Sequence, residues 1–151
     1  MLNSASLCRR RTRNLSKIPV IVVDDETIDR YIVKRQLAKC DDFEQVLEVA
    51  TGGEFLEAYF SEPRLTTQQS KPLLVLMDIN MPQMSGFETI EELQRRMDVD
   101  SGPDSVVILM FTSSNNPEDR AKAESLPTVK GYVVKPLDEG GVETIRELYY
   151  A

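Results

Sequence analysis

Ile18-Pro19-Val20-Ile21-Val22-Val23-Asp24-Asp25-Glu26 contains six apolar residues without a polar interruption, closed by three acids. A strand with one wet face would alternate apolar and polar side chains. An unbroken β-branched run predicts a strand covered on both faces. Pro72-Leu73-Leu74-Val75-Leu76-Met77 and Val106-Val107-Ile108-Leu109-Met110-Phe111 repeat the pattern, and Gly131-Tyr132-Val133-Val134 is a shorter version. Glu44-Gln45-Val46-Leu47-Glu48-Val49 is more polar, as an edge strand should be.

Helical spacing fills the intervals. Ile90, Leu93 and Met97 recur at three and four, as do Val142, Ile145 and Tyr149. Thr27 to Lys39 is less regular, with Ile28, Ile32 and Leu37 as its expected buried stripe. Asn116-Pro117-Glu118-Asp119 is a helix start: a capping side chain, proline at the first position, then acids in the first turn. Five strands alternating with five helices predict an α/β domain, a doubly wound parallel sheet with helices on both faces. Ser61 to Lys71, polar and holding Pro63, is expected to be a long loop.

Composition narrows the chemistry. At 151 residues, 41% hydrophobic and 28% charged, the chain has the profile of one folded domain. It contains no histidine, which excludes Ser–His and Cys–His catalysis and histidine-bound zinc. Cys8 and Cys40 are too few for a disulfide framework, and no phosphate-binding Gly-Lys-Ser/Thr loop is present. No apolar run approaches the ~20 residues that span a bilayer. The net charge of −7 is uneven: Arg9, Arg10, Arg11, Arg13 and Lys17 precede every acid, and the remainder carries 13 basic against 25 acidic residues. So acidic a body argues against a nucleic-acid groove. Residues 1–17 are expected to be a basic, flexible arm whose removal leaves the chemistry intact, and residues 18–151 the folded domain. Without a secretory signal, the expected compartment is the cytoplasm.

Ligands of open parallel sheets gather beyond the carboxyl ends of the strands. Here the first run ends in Asp24, Asp25 and Glu26, the third in Asp78, the fourth in Thr112 and Ser113, and the fifth in Lys135. Carboxylate oxygens suit Mg²⁺, while a lysine with a hydroxyl suits a phosphoryl group. Each residue alone has a plainer reading. Asp24 and Asp25 would serve as helix-start acids, Thr112 as a cap, Lys135 as a solvated charge and Tyr132 as core. Their joint placement at one sheet edge favours a site.

With these residues in view, the chain resembles the receiver domain of two-component response regulators. The resemblance rests on Val22-Val23-Asp24-Asp25-Glu26, on Leu76 to Gly86 with Asp78 and Met81-Pro82, on Phe111-Thr112-Ser113, and on Gly131 to Pro136. It spans about Ile18 to Tyr150 and implies a flavodoxin-like sheet with strand order 2-1-3-4-5. It also implies that Asp78 accepts a phosphoryl group from a histidine kinase or histidine phosphotransfer protein. Asp24, Asp25, Asp78 and the backbone carbonyl of Asn80 would hold Mg²⁺, and Lys135 would add positive charge. Thr112 and Tyr132 would form the switch, acting on a downstream protein through the face of the fourth helix, fifth strand and fifth helix.

Turnover of a released substrate is not expected. A haloacid-dehalogenase-type phosphatase would need an aspartate where Asn80 stands. The alternative is a receiver-fold interaction module that works without phosphorylation. Since the chain stops at Ala151, no DNA-binding output domain is expected, and homodimerisation is compatible with this reading. Two departures stand out. Ser125 to Val129 replaces the usual Ala-Gly-Ala, which predicts a short fourth helix, and Gly140-Gly141 should weaken the start of the fifth helix by roughly 1 kcal/mol each.

Overall fold

The computed structural model describes residues 17–61, 71–100 and 106–151. Its elements are β1 (Val20–Val23), α1 (Thr27–Ala38), β2 (Leu47–Val49), α2 (Gly52–Ser61), β3 (Leu73–Met77), α3 (Gly86–Asp100), β4 (Val106–Thr112), α4 (Pro117–Ser125), β5 (Val129–Val134) and α5 (Glu139–Tyr150). The strands are all parallel, in the order β2-β1-β3-β4-β5, the flavodoxin-like order expected. The basic arm before Lys17 and most of the Ser61–Lys71 segment lie outside the described residues.

The unbroken runs are explained by how alternate side chains divide. Val20, Val22, Leu74, Leu76, Leu109 and Phe111 face α1 and α5, meeting Val33, Leu37, Ile145 and Tyr149. Ile21, Val23, Leu73, Val75, Met77, Ile108 and Met110 face α2, α3 and α4, meeting Phe55, Tyr59, Ile90, Leu93 and Ala123. Each central strand is dry on both faces, so no position along it selects for a polar residue.

Three local expectations need correction. The Glu44–Val49 run forms a strand only over Leu47–Val49, because the backbone just before it is engaged elsewhere. Ile18 N donates to Asp42 O and Glu44 N donates to Ile18 O, a bridge beyond the start of β1. β5 begins at Val129, two residues ahead of the Gly131 expected, and as an edge strand it carries the exposed Lys130. Most informative is α1, where Ile28 is 60% exposed and the buried residues are Val33 and Leu37. Arg30 occupies the inward position one turn before Val33. Its Nη1 donates to Asp24 O at 2.6 Å and its Nε to Glu48 Oε1 at 3.0 Å, which turns Ile28 to solvent.

The helix ends follow their caps. Asn116 Oδ1 accepts from Glu118 N at 2.9 Å, and α4 is the shortest of the five described helices. Gly140 and Gly141 both fall in the first turn of α5. There Asp138 Oδ1 accepts from Gly141 N at 2.7 Å, a cap that offsets about 1 kcal/mol of the glycine cost. A buried pair, Arg146 Nε to Asp42 Oδ2 at 2.6 Å, ties α5 to the segment before β2.

Candidate functional site

β1 and β3 are neighbours in register, Val23 opposite Met77, so the next residues along, Asp24 and Asp78, leave the sheet side by side. Asp78 N continues the ladder by donating to Val23 O at 2.9 Å, and Asp24 N donates to Val49 O at 3.1 Å. Asp24 and Asp78 are buried, Asp25 is open to solvent, and the three carboxylates place oxygens within 4.8 Å of one another. Among the described residues this is the one such acidic group with metal-ligand spacing. The loop after Asp78 folds back tightly. Gly86 N donates to Ile79 O at 2.8 Å, and a Cβ on Gly86 would lie 2.0 Å from the Asp78 carbonyl oxygen. Gln83 turns this loop with a left-handed φ of 71°.

Lys135 arrives from the end of β5. Its amide donates to Thr112 O at 2.9 Å, and its peptide bond to Pro136 is cis. Its ammonium lies 2.6 Å from Asp24 Oδ2, 2.8 Å from Asp29 Oδ2 and 3.5 Å from Asp78 Oδ1. Burial, and next the Asp24 charge, push the Asp78 carboxyl up to about 6, with Lys135 offsetting only part of the effect. Burial also raises Asp24, against the pull of Lys135. For Lys135, burial favours the neutral amine, yet the ion pairs with Asp24, Asp29 and Asp78 together outweigh it and raise the pKa. The pocket therefore holds more negative charge than one ammonium balances.

That imbalance is what a divalent cation would relieve. Asp24 Oδ2 is buried and receives no hydrogen bond of ordinary geometry, although the Lys135 ammonium is near. The donors are hard oxygens gathered within 4.8 Å of one another, the donor chemistry that Mg²⁺ prefers. The residues fit Mg²⁺. Asn80, two residues beyond Asp78, is exposed on the loop.

Of the two residues expected to form a switch, Thr112 ends β4 and Tyr132 lies within β5. Thr112 is buried, and its Oγ1 accepts from Ser114 N at 3.2 Å, so its hydrogen bond is with Ser114 and not with Asp78. Ser113 is exposed beside it. Tyr132 packs on the α4 side of the sheet, under the Arg120 guanidinium at 4.6 Å from the ring centroid, and donates to Ser114 O at 2.9 Å. Burial raises the Tyr132 hydroxyl, the Ser114 hydrogen bond opposing it.

Three participants escape a reading of strand ends alone. Asp29 and Arg30 lie in the first turn of α1, where an acid and a base look like ordinary helix-surface charges. Ser114 joins Thr112, Tyr132 and Asp119 through its amide, carbonyl and hydroxyl. The only signal is position: each lies within a turn or so of a strand-end residue of the site.

Residues 20–146 match the family model of the response regulator receiver domain. The chain is 30% identical over 125 residues to the transcriptional regulatory protein DegU of Brevibacillus brevis, covering 83% of this chain and 47% of that protein. It is 27% identical over 120 residues to the protein PilH of Pseudomonas aeruginosa, covering 80% of this chain and 87% of that protein. It thus spans less than half of DegU but most of PilH. A two-component response regulator from Cytophaga hutchinsonii superposes with a TM-score of 0.73 at 23% identity, covering 90% of this chain and all of that one, a likeness of fold.

Proposed function

The chain belongs to the response regulator receiver domain family, and on that premise we propose that it is a phosphoacceptor that signals by phosphorylation-dependent protein binding. An Asp78 carboxylate oxygen attacks the phosphorus of a phosphohistidine on a histidine kinase or phosphotransfer protein. The P–N bond breaks, its electron pair returns to the imidazole, which takes up a proton from solvent, and an acyl phosphate remains on Asp78. Asp24, Asp25, Asp78 and the Asn80 carbonyl would hold Mg²⁺, which when bound neutralises charge between carboxylate and phosphoryl group. Lys135 adds a fixed positive charge 3.5 Å from Asp78 Oδ1.

One observation carries the reading. Three carboxylates from two neighbouring strand ends converge within 4.8 Å, with a lysine ammonium 3.5 Å from the proposed nucleophile. Thr112 then turns its hydroxyl towards the phosphoryl oxygen, and Tyr132 follows inward. Beside Tyr132, a groove of about 320 Å³ lined by Arg120, Ala123, Gly131, Thr144 and Leu148 lies between α4, β5 and α5, where a partner would sense the change. Among the described residues no helix is long and apolar enough to cross a membrane, and cytoplasmic signalling is part of the proposal.

The test is to incubate the protein with MgCl₂ and acetyl phosphate and record its intact mass. A gain of one phosphoryl group that is absent from Asp78→Asn is expected. No gain with acetyl phosphate or phosphoramidate would favour an interaction module that works without phosphorylation.

A further inference from the structure

We infer that Asp29 is a positioning residue for Lys135, an inference that rests on the phosphoacceptor reading of Asp78. A lysine carries its charge on four flexible carbons, and in a pocket with several acids the ammonium can settle on any of them. Here the contacts are unequal. Asp29 Oδ2 accepts a directed hydrogen bond from Lys135 Nζ at 2.8 Å. The closer approach to Asp24 Oδ2, 2.6 Å, is an ion pair that leaves that oxygen without a hydrogen bond of ordinary geometry. Asp78 Oδ1, at 3.5 Å, is at the outer limit of hydrogen bonding. Asp29 therefore sets where the ammonium points.

The anchor is itself fixed. Arg30, the next residue, ties the first turn of α1 to the end of β1 through Asp24 O and to β2 through Glu48. Asp29 does not belong to the carboxylate group with metal-ligand spacing, so its charge is directed at the lysine and not at a cation. An ammonium has three protons. With one given to Asp29 and none in a hydrogen bond to Asp24 Oδ2, protons remain for a phosphoryl oxygen on Asp78, without a new search by the side chain. The same hydrogen bond keeps Lys135 from collapsing onto the unmodified Asp78 carboxylate and blunting the nucleophile.

Asp29→Asn keeps the shape and removes the charge, while Asp29→Glu keeps the charge on a longer arm. Two readouts separate the roles. The first is the order parameter of the Lys135 ε-methylene, by ¹³C relaxation on the metal-free full chain. It should fall in Asp29→Asn towards that of the more exposed Lys34, and recover in part in Asp29→Glu. The second is the phosphorylation rate with saturating MgCl₂ and acetyl phosphate, by intact mass. It should drop roughly tenfold in Asp29→Asn, chiefly in the maximal rate rather than in the donor concentration for half-maximal rate. Wild-type order and rate in Asp29→Asn, with circular dichroism showing an intact fold, would overturn the inference. A wild-type protein that takes up no phosphoryl group sinks the phosphoacceptor reading instead, while the metal-free order parameter still decides whether Asp29 holds Lys135.

Discussion

Thr112 and Tyr132 are joined through a single residue: Ser114 donates its amide to Thr112 Oγ1 at 3.2 Å and accepts the Tyr132 hydroxyl on its carbonyl at 2.9 Å. The two residues therefore share one loop, and Ser114 Oγ extends the link to Asp119 on α4 at 2.9 Å. A phosphoryl group on Asp78 that draws the Thr112 hydroxyl away would loosen the Ser114 amide and with it the support of Tyr132. We expect amide chemical shifts over 117–150 to change when beryllofluoride and Mg²⁺ are added, as a shift between pre-existing states. In Thr112→Val the response beyond Ser114 should shrink while the change around Asp78 persists. Shifts confined to 24–78 in the wild type would refute this route.

The crowded carboxylates should make the metal-free protein more stable as the pH falls towards 4. Asp78 is raised from 3.8 to about 6, so between these values the folded chain binds more protons than the unfolded chain. Stability then declines as pH rises through this window, and the full penalty is present above pH 6. Asp24 is shifted in the same direction. Asp78→Asn should therefore gain on the order of 1–3 kcal/mol at pH 7 in EDTA and little at pH 4. Millimolar Mg²⁺ should stabilise the wild type and leave the variant nearly unchanged. Urea denaturation across pH 4–8 measures both, and an Asp78→Asn variant less stable than wild type at pH 7 would contradict the charge argument.

The buried pair behaves oppositely, because there each charge is matched. Arg146 and Asp42 are both almost fully buried, 104 residues apart, and Arg146 also reaches Glu143 at 2.9 Å. Arg146→Met should cost about 3–5 kcal/mol, because it leaves Asp42 buried without its cation. Adding Asp42→Asn should restore part of that loss. A double variant no better than the single one would place the cost in packing and not in the stranded charge.

How much of the molecule is legible in its sequence depends on burial. Val22, Leu76 and Leu109 lie on strands dry on both faces, so their runs are unbroken and the polar residues that end them stand out. That contrast places Asp24, Asp78 and Thr112 at one sheet edge, while Lys135 ends the less buried edge strand β5 and is marked only by the short Gly131–Val134 run before it. The extent of β2 is not legible, because an edge strand lacks the contrast and Glu44 and Gln45 look no different from Glu48 in composition. The exposure of Ile28 is hidden too, since apolar spacing cannot reveal that Arg30 holds the inward position by bonding a strand-end carbonyl. Asp29 escapes for a related reason: an acid in a first helical turn already has an adequate local explanation.

Two glycines separate what the site demands from what the fold tolerates. A Cβ on Gly86 would stand 2.0 Å from the Asp78 carbonyl oxygen and 3.0 Å from its carbon, and backbone cannot rotate aside. A Cβ on Gly131 would meet Leu148 Cδ1 at 2.5 Å, the end of a flexible side chain that another rotamer can withdraw. Gly86→Ala should therefore cost more than about 2 kcal/mol and also displace Asp78, lowering Mg²⁺ affinity. Gly131→Ala should cost under about 1 kcal/mol, with Mg²⁺ affinity unchanged, because Leu148 lies on α5 away from the carboxylates. Urea denaturation in EDTA reports the first quantity and Mg²⁺ titration by NMR the second. If Gly86→Ala lost stability yet bound Mg²⁺ like the wild type, the loop would be shaping the fold alone and not the position of the Asp78 carboxylate.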